Sequence, residues 1–124
     1  MKRFNIITAR NILTSCVDAD VSVVLGDPRH IRLDFSGTPV ANFLTGDFLF
    51  VSARVPYIDL VVFPGDTILF ARDIRKAIKS LSVDAGNMLR DGYIDMNTYN
   101  ACAKAAAGLQ KACTRLANIV PSLK

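Results

Sequence analysis

The stretch that most constrains the fold is residues 48–81, where two apolar, β-rich runs precede an amphipathic helical pattern. The runs FLFVSA (48–53) and YIDLVVF (57–63) predict two buried strands. PGDT (64–67) predicts a turn between strand and helix, because proline and glycine interrupt regular structure. After the turn, apolar residues recur on one side of a helix with 3.6 residues per turn: Phe70, Ile74, Ala77, Ile78 and Leu81.

Shorter elements are predicted before this stretch. In chain order they are a strand at 4–8, a helix at 11–17, a buried strand at 21–26, a strand at 31–35 and a helical turn at 40–44. The fourth of these alternates strictly between apolar and polar residues, so we expect it to be half-exposed and to lie at an edge of the sheet.

The C-terminal third predicts two more helices. Ser82 is expected to cap a short helix over residues 83–90, and Gly92 stands where a glycine ends a helix. Asp95 is expected to cap a long Ala-rich helix that runs to about Ile119.

These elements together predict one α/β domain over residues 1–124. Residues 1–81 are expected to form a small open sheet of about four to five strands flanked by helices. Residues 82–124 are expected to form a C-terminal helical hairpin.

Composition restricts the classes of function. Half of the chain is apolar (51%), so we expect a packed core, and no apolar run reaches the roughly 20 residues that span a bilayer. The three cysteines show no CxxC spacing and predict reduced core residues. We expect a cytoplasmic protein with no membrane contact, or one inside a virion if the source is viral. The net charge of +4 is compatible with nucleic-acid binding without requiring it.

Three patterns that resemble known sites have simpler explanations. DGYID (91–95) matches part of a calcium-binding loop, but Thr98 then stands where a bidentate carboxylate is needed. PGDT (64–67) precedes a helix N-terminus, but Asp66 would satisfy the free N–H groups there and repel an anion. His30, the only histidine, is expected in the turn with residues 27–29 between two strands, and no spacing relates it to a particular serine or cysteine. We therefore predict no enzyme, metal, cofactor or small-molecule substrate.

Two helices offer surfaces for partners. The basic side of the helix that follows residues 64–67 is the candidate for nucleic-acid contact: Arg72, Arg75, Lys76 and Lys79. A near-heptad seam of small and apolar residues is the candidate for a dimer or partner interface: Cys102, Ala105, Ala106, Leu109, Cys113 and Leu116. This seam either packs inside the domain or pairs with its twin in a second chain, and a basic stripe runs beside it: Lys104, Lys111 and Arg115.

Residues 58–80 (IDLVVFPGDTILFARDIRKAIKS) resemble a strand–PG–helix segment of a viral family. The matching features are an apolar strand that ends at Pro64 and Gly65, an aspartate near the position of Asp73, and Ala77 followed by an aliphatic residue. The family is the minor inner-capsid assembly proteins of double-stranded RNA bacteriophages (cystoviruses). The resemblance implies a non-enzymatic α/β protein of the viral core that aids procapsid assembly and RNA packaging.

The sequence therefore favours a non-enzymatic protein–protein interaction module that acts in an assembly, with protein partners and a homodimer expected. The alternative is a basic RNA- or DNA-binding accessory domain that contacts phosphates through the helix face from Arg72 to Lys79. A third alternative is a small enzyme subunit or ligand-binding domain that uses the crevice near residues 64–67.

Overall fold

The fold is mixed α/β, as a computed structural model describes it for residues 5–46, 55–62 and 70–118. The elements in chain order are α1 (Ile6–Cys16), β1 (Asp20–Val24), β2 (Arg29–Asp34), α2 (Pro39–Leu44), β3 (Tyr57–Val62), α3 (Phe70–Lys79), α4 (Ala85–Arg90) and α5 (Met96–Leu116). A π-helical turn, Ser80–Asp84, joins α3 to α4. The predicted strand at 48–53 and turn at 64–67 lie outside the described residues, as does the predicted helix end at Ile119.

The sheet of the described residues has three antiparallel strands in the order β1–β2–β3. Ile31 in the middle strand lies opposite Val23 on one side and Leu60 on the other. The prediction of an open sheet with helices is confirmed, but the predicted four to five strands exceed the three that the described residues form.

The strand positions correct two predictions. The alternation in β2 is confirmed, because Ile31 and Leu33 are fully buried while Arg32 is only partly so. Its predicted edge position is wrong, since β2 pairs on both sides. The strand predicted at 21–26 is present as β1, but its predicted burial is wrong: β1 pairs with β2 alone among the described strands, and Val24 and Leu25 are 40% and 75% exposed.

The face of the sheet opposite the core carries a polar cluster that ties β2 to β3. Arg32 donates two hydrogen bonds to Asp59, from Nε to Oδ1 at 2.8 Å and from one Nη to Oδ2 at 3.0 Å. The Arg32 guanidinium also lies 3.7 Å from the centre of the Tyr57 ring. Two-point pairing and stacking on an aromatic ring fix the guanidinium plane, so this cluster holds the register of the two strands.

The first element is a helix and not the predicted strand at 4–8. The Asn5 side chain accepts hydrogen bonds from the backbone N–H groups of Ile7 and Thr8 at 2.9 and 3.2 Å, which is an N-cap. Ile6, Ala9 and Leu13 then follow at helical spacing and are buried. The helix predicted at 11–17 is therefore the second half of a longer one.

The predicted helix break at Ser82 is also wrong. The Ser82 hydroxyl donates to the carbonyl oxygen of Ile78 at 2.7 Å instead of capping a new helix. The chain continues through the π-helical turn into α4, and both Leu81 and Ala85 are fully buried. The helical region predicted over 70–81 and that over 83–90 are thus one continuous segment.

The turn between α4 and α5 confirms two predicted caps. Gly92 has φ of +82°, Tyr93 N–H donates to the carbonyl of Met88 and Gly92 N–H donates to that of Leu89, which is a Schellman ending. Asp95 accepts from the backbone N–H of Thr98 at 2.8 Å and begins α5. The lowered pKa of the Asp95 carboxyl has this hydrogen bond as its main cause.

The long helix α5 lies at the centre of the helical part, in contact with α1, α2, α3, the π-helical turn and α4. The buried side of α5 and the inner face of the sheet form one hydrophobic core. The largest fully buried side chains of this core are Phe35, Phe43, Leu13, Ile31, Leu33, Leu60, Ile74, Leu81, Leu109 and Leu116. Gly108 permits the approach to α1, because a Cβ atom there would overlap the carbonyl oxygen of Cys16.

Candidate functional site: a basic helical surface

The solvent side of α3 carries the cations that the sequence singles out. Arg75, Lys76 and Lys79 are exposed, whereas Ile74 on the opposite side of the helix is fully buried. Arg72 belongs to α3, and its side chain lies outside the description. Three of the four predicted phosphate-contacting residues therefore share one accessible face.

A second set of cations lies on the solvent side of α5. Lys104, Lys111 and Arg115 are all exposed. At a rise of about 1.5 Å per residue, the first two are about 10 Å apart along the helix axis and the last two about 6 Å apart. The sequence of α5 contains no acidic residue, so no carboxylate of this helix neutralises the stripe.

Packing of α3 on α5 brings Arg75 beside the long helix. Arg75 and Ile78 of α3 line a shallow groove of about 170 Å³ with Cys113 and Thr114 of α5. The guanidinium of Arg75 is close enough to Cys113 to oppose the rise of its pKa that burial causes. On the far side of α5, Arg115 donates to the Ser15 hydroxyl at 3.2 Å and so reaches α1.

We define the basic helical surface as the exposed cations of both helices: Arg75, Lys76, Lys79, Lys104, Lys111 and Arg115.

Charge is segregated between the helices and the rest of the chain. The sequences of α1, α3 and α5 hold eight of the fifteen lysines and arginines but only one of the eleven aspartates, Asp73. Of the other aspartates, those among the described residues lie in strands, turns, caps and the π-helical turn. The positive charge is thus concentrated on the three helices, and the chain as a whole is less basic than this surface.

The six residues of α5 that were predicted to form a dimer or partner interface lie mostly in the core of the chain itself. Five are buried inside the chain itself: Cys102, Ala105, Ala106, Leu109 and Leu116. A side chain already buried in its own domain cannot supply contact area to a partner, so these five are corrected to core residues. Cys113 is half-buried and borders the groove between α3 and α5. The sequence leaves open whether this seam packs inside the domain or pairs with a second chain, and in the structure these five residues pack inside the domain.

Burial disfavours the thiolate form of both cysteines of α5. Burial raises the pKa of the Cys102 thiol to about 11, so the thiolate is scarce at neutral pH. Burial also raises the pKa of Cys113.

His30 lies in β2 and not in the turn where the sequence placed it. Its direct cross-strand neighbours are Val24 and Val61, and its Nε2 atom is buried without a hydrogen-bond partner. The next row of that face holds Ser22 and Asp59, but Asp59 is held by Arg32. No Ser–His–Asp hydrogen-bond chain therefore forms at this point of the sheet.

The segment that resembles a calcium loop is used for helix capping. Asp95 caps α5, and Asp91 accepts a hydrogen bond from Arg90 at 3.2 Å. Among residues 5–46, 55–62 and 70–118, no group of three or more His, Cys, Asp or Glu side chains is placed to hold a metal ion. Within the same ranges, no helix has the length and apolar character to cross a membrane.

Sequence reasoning missed a cleft of about 440 Å³ between the end of α1, the start of α2 and the middle of α5. Buried apolar side chains such as Phe35 and Val40 form part of its wall, and Asp18 and Lys104 contribute opposite charges. Its lining comes from segments around residues 14–18, 35–40 and 101–105. No local sequence pattern predicts this cleft, because the segments that line it are far apart in the chain.

Comparison of the chain with protein-family models, curated proteins and solved structures finds no match. The resemblance to the cystovirus assembly proteins thus stays a prediction, and the site must be interpreted from its own geometry.

Proposed function

We propose that this protein is a non-enzymatic binding module that contacts the phosphate backbone of RNA or DNA through the basic helical surface. The observation that supports this proposal is the set of six exposed cations on two packed helices, α3 and α5. Phosphate contact requires flexible cations spread over one accessible face, and it supplies most of the affinity of non-specific nucleic-acid binding.

The chemistry of this surface favours contact without sequence preference. Its six members are lysines and arginines, and none is an aromatic residue on which a base could stack. Binding is therefore expected to depend steeply on salt and little on base sequence. This interpretation corresponds to the alternative that the sequence offers, extended from the Arg72–Lys79 face to the stripe on α5.

A protein–protein role in an assembly is the second candidate. It is supported by the exposed apolar residues Val24 and Leu25 at the end of β1, where a partner would remove apolar surface from water. Aid to procapsid assembly and RNA packaging, which the cystovirus resemblance implies, would combine this role with nucleic-acid contact. The two candidates are separable by experiment because they use different surfaces.

Neutral substitutions on the basic helical surface test the first proposal. Lys76→Gln, Lys79→Gln and Lys111→Gln each remove one exposed charge without adding bulk. Each is expected to reduce the slope of log affinity against log salt by about 0.7 for single-stranded RNA, as measured by fluorescence anisotropy. Arg90→Gln is the matched control, because Arg90 is exposed on α4 but lies beside Asp91.

The control separates a specific surface from net charge alone. If Arg90→Gln weakens RNA binding as much as the three lysine variants do, only the total charge matters and the proposed surface is wrong. If the wild-type protein does not bind RNA even at low salt, the proposal fails entirely.

A further inference from the structure

The cleft of about 440 Å³ beside α5 has the size of a small-molecule site. Ligand pockets of proteins commonly enclose about 300–1,000 Å³ and combine apolar walls with a few polar groups. The buried side chains of Val17, Phe35 and Val40 belong to the apolar wall of this cleft. A planar ring can therefore lie against an apolar wall there while its edge meets the polar groups.

The hydroxyl groups that line the cleft offer a ligand acceptors and not donors. Thr14 and Ser15 donate their hydroxyl protons to backbone carbonyl oxygens in the preceding turn of α1, at 2.9 and 2.8 Å. Thr38 donates its own to the carbonyl oxygen of Phe35 at 2.7 Å. Because a hydroxyl has one proton to donate, only the lone pairs of these side chains remain for a ligand.

Negative charge on the same side of the cleft comes from Asp18 and from the end of α1. The carboxylate of Asp18 is exposed and forms no hydrogen bond or ion pair within the described part of the chain. The helix α1 ends at Cys16 with no basic residue in its last turn, and the carbonyl end of a helix carries a partial negative charge. This side of the cleft therefore favours a ligand edge that presents N–H donors.

The cation of the cleft is Lys104, which is also a member of the basic helical surface. The end of α1 lies against the same stripe of α5, since a Cβ atom at Gly108 would overlap the carbonyl oxygen of Cys16. Arg115, farther along the stripe, donates to the Ser15 hydroxyl at 3.2 Å. A strand whose phosphates follow this stripe thus passes the cleft, and a phosphate at Lys104 lies at its rim.

The ligand that fits this arrangement joins an anion, a planar body and an edge with several N–H donors. Guanine nucleotides have all three. The Watson–Crick edge of guanine presents N1–H and N2–H side by side, and a carboxylate accepts such a pair with both of its oxygens, as it does from a guanidinium. Adenine and cytosine present an amino group beside an acceptor, and uracil presents one N–H between two carbonyl oxygens, which the acceptors of the cleft would repel.

We propose that the cleft holds a guanine base, with its Watson–Crick edge on Asp18 and its phosphate on Lys104. For a guanine within a strand the inference rests on the proposed function, and it names single-stranded RNA with an unpaired guanine as the ligand. A paired guanine cannot enter, because its Watson–Crick edge is already occupied. A free guanine nucleotide offers the same chemistry, and the experiment separates the two sources.

The test compares a short oligouridine with the same strand carrying a single guanosine, by fluorescence anisotropy. Wild-type protein should bind the guanosine strand about tenfold more tightly, which is the discrimination expected from one two-point hydrogen-bonded pair. Asp18→Asn should lose this difference, because the amide has one acceptor oxygen in place of two. Asp27→Asn removes the same charge at an exposed position outside the cleft and should keep the difference.

A second variant fills the cleft without changing charge. Ala101 is half-buried and lines the cleft, so Ala101→Leu should take the space of the base and remove the preference for the guanosine strand. Ala107→Leu, on the exposed side of the same helix, should keep the preference. Circular dichroism checks that each variant is folded.

The outcomes separate this inference from the proposed function. If wild-type protein binds both strands with equal affinity, the inference is wrong and the phosphate contact stands. A preference that survives in Asp18→Asn, or in folded Ala101→Leu, also overturns the inference, because the base then lies elsewhere.

If neither strand binds, the proposed function fails, and guanosine 5′-monophosphate tests the cleft alone. A thermal unfolding temperature that rises with this nucleotide in wild-type protein, but not in Asp18→Asn and not with uridine 5′-monophosphate, assigns the cleft to a free guanine nucleotide. The absence of any rise overturns the inference.

Discussion

The contact between α1 and α5 leads to a sharp prediction at Gly108. A Cβ atom added there would overlap the carbonyl oxygen of Cys16, and the next nearest atoms are the Cys16 carbonyl carbon at 3.3 Å and the Val17 Cα at 3.6 Å. All three are backbone atoms, so no side chain can rotate away. Gly108→Ala therefore requires one helix to move relative to the other.

The expected magnitude is the difference between two terms. Forcing an extra methyl group into a packed contact costs about 1–3 kcal/mol, and the rigid neighbour at Gly108 favours the upper end of that range. Alanine is favoured over glycine inside a helix by about 1 kcal/mol, which offsets part of the cost. The net loss in the free energy of unfolding is then about 2 kcal/mol.

Gly86 offers a matched control in α4. A Cβ atom at Gly86 would meet only the Cε1 atom of Tyr99, at an ordinary contact distance of 3.8 Å. Gly86→Ala should therefore show the helix preference alone and stabilise the protein by about 0.5–1 kcal/mol. The same substitution in two helices of one protein thus has opposite expected signs.

Urea unfolding followed by circular dichroism measures both variants. With a slope typical of a small domain, about 1–3 kcal/mol per molar urea, the midpoint for Gly108→Ala should fall by about 1 M. The midpoint for Gly86→Ala should rise by a smaller amount. If Gly108→Ala matched or exceeded the wild-type stability, α5 would not approach the end of α1 as closely as described, and the helix arrangement that places the basic helical surface would be wrong.

Three further outcomes follow from other elements of the fold. Leu109→Ala empties a fully buried position and should cost about 2–5 kcal/mol in urea unfolding, whereas Ala107→Ser, on the exposed side of α5, should be nearly neutral. Asp95→Ala should lower stability at neutral pH. Because its folded-state pKa is lowered by the Thr98 N–H, that difference should begin to shrink as the pH falls below the ordinary value of 3.8 and should be smallest below the lowered folded-state pKa, while Asp95→Asn should keep the cap throughout. Burial raises the pKa of Cys102 to about 11, so this thiol should resist iodoacetamide in the native protein and react after unfolding. Mass spectrometry measures both reactions, and equal rates in the two states would contradict the burial of Cys102.

Local chemistry determined how much of the fold could be predicted. The ends of the α4–α5 turn were predictable because Gly92 and Asp95 act through their own side-chain and backbone properties. The alternation in β2 was predictable because one face of the sheet is buried and the other is not.

The wrong predictions arose where tertiary context decided between two local options. Residues 5–8 include two isoleucines and a threonine, which favour strands, yet the Asn5 cap and the buried contacts of Ile6 and Ala9 make them helical. Among the described strands, the central position of β2 and the edge position of β1 depend on strand order, which no single segment encodes.

For the candidate site, too, some features could be predicted from the sequence and others depend on how the helices pack. The basic residues of α3 and α5 were visible as helical stripes, because lysines and arginines recur at helical spacing in two segments that contain a single acidic residue, Asp73. That they belong to neighbouring helices depends on the packing of Ile78 beside Cys113 across the groove, which joins residues far apart in the chain. The burial of the Cys102–Leu116 seam likewise depends on which helices surround α5.

The most direct test of the proposed function is the salt dependence of RNA binding by the wild-type protein. Fluorescence anisotropy with a labelled single strand gives the affinity at each salt concentration. If all six cations of the basic helical surface contact phosphates, the slope of log affinity against log salt should be about −4, and contact through α3 or α5 alone should give about −2. A slope near zero, or no binding at low salt, would contradict the proposal that this surface binds nucleic acid.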